Sequence, residues 1–84
     1  MDPQAIRERI EARLPGSRAE VEGAEAHFAA TIVAAAFEGK SRVEQHRMIY
    51  DLFRDEMASQ TIHALSLRTV TPAEWEKERG RPRR

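Results

Sequence analysis

Three histidines and no cysteine bound the chemistry open to this 84-residue chain. Without a thiol the protein offers a metal no thiolate, has no cysteine nucleophile and forms no disulfide. Any metal must be held by His, Asp, Glu or ligands from another molecule. His63 is the first candidate. It opens the apolar half of the β-rich run Thr61-Ile62-His63-Ala64-Leu65-Ser66-Leu67. A strand end there fixes the backbone and leaves the imidazole reachable, and the neighbours Ile62 and Ala64 offer no polar partner. Alternation puts His63 on one face with Leu65 and Leu67, so the plain alternative is a partly buried histidine with a hydrogen-bond partner. His46 follows Val43 by three residues on an apolar helical stripe and reads as a packing residue. His27 follows a turn with parity opposite to Phe28, which makes it exposed and able to approach a site at the end of a sheet.

Other chemistries find little support. No two histidines have the His-x-x-x-His spacing of a helical zinc site, and no Gly-x-Ser-x-Gly marks a hydrolase nucleophile. Asp51 and Asp55 lie four apart on a helix and read as a solvated face. Gly39-Lys40-Ser41 supplies only the last three positions of a phosphate loop. Fourteen basic and fourteen acidic residues cancel, which argues against nucleic-acid binding by bulk electrostatics. The charge is uneven, however: Glu76 to Arg84 hold five of the fourteen basic side chains. No window reaches the roughly 18 apolar residues of a membrane span. Met1-Asp2-Pro3-Gln4 lacks the basic-then-apolar order of a signal peptide, so the expectation is a cytoplasmic protein.

The elements that must carry these residues follow from periodicity. One domain over 1–84 is expected, with 77–84 a frayed basic tail. A core of this size stabilises a fold by only about 3–5 kcal/mol. Asp2-Pro3 opens a helix whose stripe is Ile6, Ile10 and Leu14, with Arg7, Arg9 and Arg13 on the wetter sides, and Pro15-Gly16 ends it. Ser17 to Glu22 alternates as a strand, and Gly23-Ala24 is the turn. Glu25 to Phe37 is rich in alanine, yet Thr31-Ile32-Val33 favours a second strand with Phe28, Ala30, Ile32 and Ala34 on one face. Phe37 to Lys40 is a turn. From Ser41 a long helix begins with a capping box to Glu44. It runs to Ser59 with Val43, His46, Tyr50, Phe53 and Met57 on its stripe, which Ile49 and Leu52 widen. Thr61 to Thr69 is a third strand, parallel to one before it because a helix intervenes. Thr71-Pro72-Ala73-Glu74 caps the last helix, and Val70 staples onto Trp75. The expected fold is α+β: a small three-stranded mixed sheet covered by helices.

Four stretches in one order resemble the BolA family: Phe37-Glu38-Gly39-Lys40-Ser41-Arg42-Val43, His46-Arg47-Met48-Ile49-Tyr50, Ile62-His63-Ala64-Leu65-Ser66-Leu67 and Thr71-Pro72-Ala73-Glu74-Trp75. The ending and the short hairpin loop look most like the short-loop bacterial branch of that family. The resemblance implies an α-β-β-α-β-α order related to the class II KH domain. It also implies a non-enzymatic iron–sulfur accessory protein that partners a monothiol glutaredoxin and shares a [2Fe-2S] cluster with it. The partner gives a cysteine and a glutathione thiol, and this chain gives the histidine that matches His63. Many relatives carry a second ligand, His or Cys, in the loop between the first two strands. Here that loop is Gly23-Ala24-Glu25-Ala26, Ala24 stands about where a cysteine would, and His27 is the remaining candidate, at a position that is not the usual ligand. Alone, the chain is expected to be a monomer or a weak homodimer.

The rival is a KH-like nucleic-acid-binding transcriptional regulator of DNA or RNA. KH folds clamp a strand with Gly-x-x-Gly, and Gly39-Lys40-Ser41-Arg42 keeps only the first glycine. Lys40, Arg42 and Arg47 nevertheless form a basic group at the start of the long helix. A third reading is a metal-free α/β interaction domain.

Overall fold

The computed structural model describes residues 1–79. Its elements are α1 (Pro3–Arg13), β1 (Arg18–Ala24), β2 (His27–Val33), a 3-10 turn (Ala35–Phe37), α2 (Arg42–Leu52), α3 (Arg54–Ala58), β3 (Ala64–Val70) and α4 (Pro72–Arg79). The sheet order is β1-β2-β3, antiparallel between β1 and β2 and parallel between β2 and β3. The expected α+β fold with a mixed three-stranded sheet is the one observed. A parallel pair needs a long connection, which α2 and α3 provide.

One face of the sheet carries the core. Ala19, Phe28, Ala30, Ile32 and Leu65 are buried there, with Ile6 and Ile10 of α1 and Ile49 and Phe53 from the long-helix segment. The expected face of Phe28, Ala30, Ile32 and Ala34 is buried throughout. Alanine-rich as it is, this segment is a strand because only alternation puts Phe28, Ala30, Ile32 and Ala34 together on one side. Glu11 accepts a hydrogen bond from the Ala19 amide at 3.0 Å, and the Tyr50 hydroxyl donates to the Leu65 carbonyl at 2.9 Å. Each bond occupies a backbone group on one of the two outer strands, where unpaired groups invite pairing with another chain.

Several boundaries differ from expectation. The hairpin turn is Glu25-Ala26, not Gly23-Ala24, and β1 continues through Ala24. The second strand ends at Val33, and Phe37 turns inward on the 3-10 turn to become fully buried. The long helix is broken at Phe53. There Arg9 takes the Leu52 carbonyl at 3.0 Å and lies over the Phe53 ring at 5.0 Å, so α1 supplies the donor where the helix tightens. Arg9 is thus half-buried rather than on a wet side. The third strand starts at Ala64, leaving His63 just outside it. Lys77 to Arg79 belong to α4 rather than to a frayed tail, and the rest of that tail, with the expected Gly80 and Pro82 stop, lies outside the described residues.

The expected stripe holds at Ile49 and Phe53, both fully buried, but not at the first turn of α2. Val43 is 63% exposed, and Gln45 is buried instead. Its amide donates to the carbonyls of Phe37 and Lys40, both at 3.1 Å, and its side-chain oxygen accepts from the Thr69 hydroxyl at 2.7 Å. One polar side chain therefore joins the 3-10 turn, α2 and β3. Both expected capping boxes form, Ser41 with Glu44 and Thr71 with Glu74. Replacing Gln45 with Leu strands buried polar groups on both sides of this junction. The expected result is a loss of about 2–3 kcal/mol of stability, read as a lower midpoint in urea denaturation at an unchanged slope.

Candidate functional site

The site is built where the hairpin meets the crossover. Glu25 and Ala26 have φ of +54° and +72°. Positive φ at both central residues is the requirement of a type I′ two-residue turn, whose twist matches the flanking strands. Gly23 makes room for it: a Cβ there would lie 2.2 Å from the His27 carbonyl oxygen. The Ala26 carbonyl accepts from the His63 amide at 2.7 Å and from the Ala64 amide at 3.0 Å. From that point β2 and β3 run in parallel, with His27 opposite Ala64.

The result is a pair of imidazoles. The rings of His27 and His63 have centroids 5.0 Å apart and planes tilted by 54°. Both residues are exposed. His27 stands on the sheet face away from the core, between Ala24 and Ala64 in the two neighbouring strands. These two alanines leave the ring space. The Glu25 carbonyl lies 3.1 Å from Nδ1 of His27, and the Gln60 side-chain carbonyl lies 2.7 Å from Nδ1 of His63. A carbonyl oxygen only accepts, so each contact is a hydrogen bond when Nδ1 of the ring carries a proton. His63 therefore does have a polar partner, three residues back rather than next to it in the chain. Since His63 precedes the strand, its parity with Leu65 does not bury it.

The segment bearing His63 is anchored from behind. Ile62 is 1% exposed, and its amide donates to the Glu56 carbonyl at 3.0 Å. The Glu56 carboxylate pairs with Arg9 at 2.8 Å, and that hydrogen-bonded guanidinium holds the carboxyl below its usual range. Thus α1 steadies α3, and α3 steadies the approach to His63.

The other sequence candidates do not join the pair. His46 is half-buried on α2 as a packing residue, with its Nε2 buried and unpartnered. Asp51 is exposed and pairs with Arg54. Ala24 flanks the turn and brings no ligand atom. Lys40, Arg42 and Arg47 are exposed around the start of α2, at the opposite end of the sheet from His27, since α2 follows the far end of β2. Among the described residues, no group of three or more His, Asp or Glu side chains can hold a metal ion. The pair thus fits a metal or cluster as a donor of one or two nitrogens, with the other ligands arriving from elsewhere. No helix among the described residues is long and apolar enough to cross a membrane.

Comparison with known proteins gives a consistent picture. Residues 7–74 match the family model described as BolA-like protein. A 50-residue stretch, 60% of this chain, is 56% identical to SufE-like protein 1 of Arabidopsis thaliana, a chloroplastic/mitochondrial protein, and covers 13% of it. A 54-residue stretch, 64% of this chain, is 43% identical to the DNA-binding transcriptional regulator BolA of Escherichia coli and covers 50% of it. The matches thus span half or less of those two relatives. Among solved structures, a BolA protein homologue from Coxiella burnetii superposes with a TM-score of 0.79 at 39% identity, covering 90% of this chain and 97% of that one.

The crowding at Gly23 yields a test of how the site is placed. Gly23→Ala is expected to cost more than about 1 kcal/mol and to displace His27. The checks are urea denaturation and loss of the nuclear Overhauser contact between the two imidazole rings.

Proposed function

The chain belongs to the BolA-like protein family, and from that premise we infer that it is a non-enzymatic iron–sulfur accessory protein. It binds a monothiol glutaredoxin and shares or transfers a [2Fe-2S] cluster through His63, with His27 as the second nitrogen. The observation that carries this reading is the exposed pair of imidazoles, their ring centroids 5.0 Å apart at one corner of the sheet. A chain without thiols suits a partner that brings its own sulfur ligands, a cysteine and glutathione. Histidine in place of thiolate raises the reduction potential of a cluster. The protein's own part is to hold the two rings side by side where the hairpin meets β3. For His63, mixing the chain with a cluster-loaded glutaredoxin is expected to change the visible absorption and circular dichroism, and His63→Ala to abolish that change. An unaltered spectrum with His63→Ala removes His63 as a ligand.

A second reading rests on a separate surface. Lys40, Arg42 and Arg47 are exposed around the start of α2, beside the exposed Val43, and the Escherichia coli relative is named a DNA-binding regulator. If this end of the molecule contacts phosphates, a labelled DNA or RNA probe shifts at low salt, the shift weakens steeply as salt rises, and combined Lys40→Ala and Arg42→Ala abolishes it. The two surfaces lie at opposite ends of the sheet and do not compete.

A further inference from the structure

We propose that Gln60 is a positioning residue for His63. Its side-chain carbonyl holds the ring in the Nδ1–H tautomer and so makes Nε2 the nitrogen presented to an incoming ligand. The consequence for ligation rests on the iron–sulfur reading above; the tautomer assignment itself stands on the geometry of this chain alone.

Gln60 leaves α3 with φ of +69°, a left-handed conformation that a glutamine rarely adopts. Its backbone is held there: the Gln60 amide donates to the Met57 carbonyl at 3.3 Å. On either side of it, the hydroxyls of Ser59 and Thr61 lie 2.9 Å apart, and Ser59 donates to the Glu56 carbonyl at 3.2 Å. Next in the chain is Ile62, fully packed into the core. Gln60 and His63 thus project from the two ends of a short bend whose middle is fixed, and their side chains meet at 2.7 Å. Neutral imidazole in water favours the Nε2–H tautomer. A carbonyl acceptor at Nδ1 reverses that preference, and the hydrogen bond on one ring nitrogen decides what the other can bind.

His27 reaches the same state by a different route, because its Nδ1 faces the backbone carbonyl of Glu25. The two rings therefore present matched lone pairs, one set by a side chain and one by the main chain. Only the first can be removed by substitution, which gives the experiment an internal control.

The test is long-range proton–nitrogen NMR of the metal-free full chain at pH about 8.5, where a histidine of ordinary pKa near 6.5 is neutral. The wild type is expected to show both rings as Nδ1–H. Gln60→Ala is expected to move the His63 tautomer ratio about fivefold toward Nε2–H and to leave His27 unchanged. Gln60→Glu, which keeps an acceptor oxygen, is expected to retain the wild-type signature. A His63 tautomer ratio in Gln60→Ala equal to that of the wild type overturns the proposal, as does Gln60→Glu behaving like Gln60→Ala. No iron and no partner enter these samples, so their outcome is separate from whether His63 ligates a cluster.

Discussion

The geometry of the site hangs on one carbonyl group. Ala26 sits in a left-handed conformation at the tip of a two-residue turn, and its carbonyl accepts from two successive amides, those of His63 and Ala64. Holding residues other than glycine at positive φ costs on the order of 1 kcal/mol each. Two charge-free hydrogen bonds at the start of the parallel ladder offset that cost and set its register. Every later pairing of β2 with β3 follows from this start. So does the approach of His27, just after the turn, to His63, just before the strand. The two histidines are thirty-six positions apart in the chain; one acceptor atom brings them together.

Polar side chains then act as spacers between elements that apolar packing alone would leave free to slide. Gln45 ties α2 to both the 3-10 turn and β3. Arg9 reaches from α1 to the Leu52 carbonyl and the Glu56 carboxylate, at the point where the long helix breaks. A domain this small has few apolar contacts with which to specify a single arrangement. Directional bonds to carbonyls supply what non-directional burial does not.

The imidazole pair shows the same economy. Each ring is held by a carbonyl that comes from its own local bend, and each bend contains a residue at positive φ. In both rings it is Nδ1 that lies against the carbonyl. Each ring has a hydrogen-bond partner within the chain before any ligand arrives, and ordering done in advance lowers the cost of binding. The site is also incomplete by construction, since two nitrogens do not satisfy a metal centre.

Much of this was legible in the residues. Periodicity and capping located all three strands, the helices and both capping boxes, because those signals depend only on side chains within a few positions of each other. The absence of cysteine and the β-rich run at His63 pointed to a nitrogen donor at a strand end, and the order of motifs pointed to the family. Contacts between distant residues decided the remainder. The turn moved to Glu25-Ala26, since Gly23 is needed where β1 passes close to the His27 carbonyl, a constraint with no local signature. The helix broke at Phe53 because Arg9, forty-three residues before Leu52, claimed a carbonyl. Gln45 went inward in place of Val43 because its three hydrogen-bond partners come from Phe37, Lys40 and Thr69. Composition and spacing thus determined which groups are able to do chemistry and roughly which element holds each one. Only the folded chain decided that His27 stands beside His63, because the pairing of β2 with β3 sets that approach.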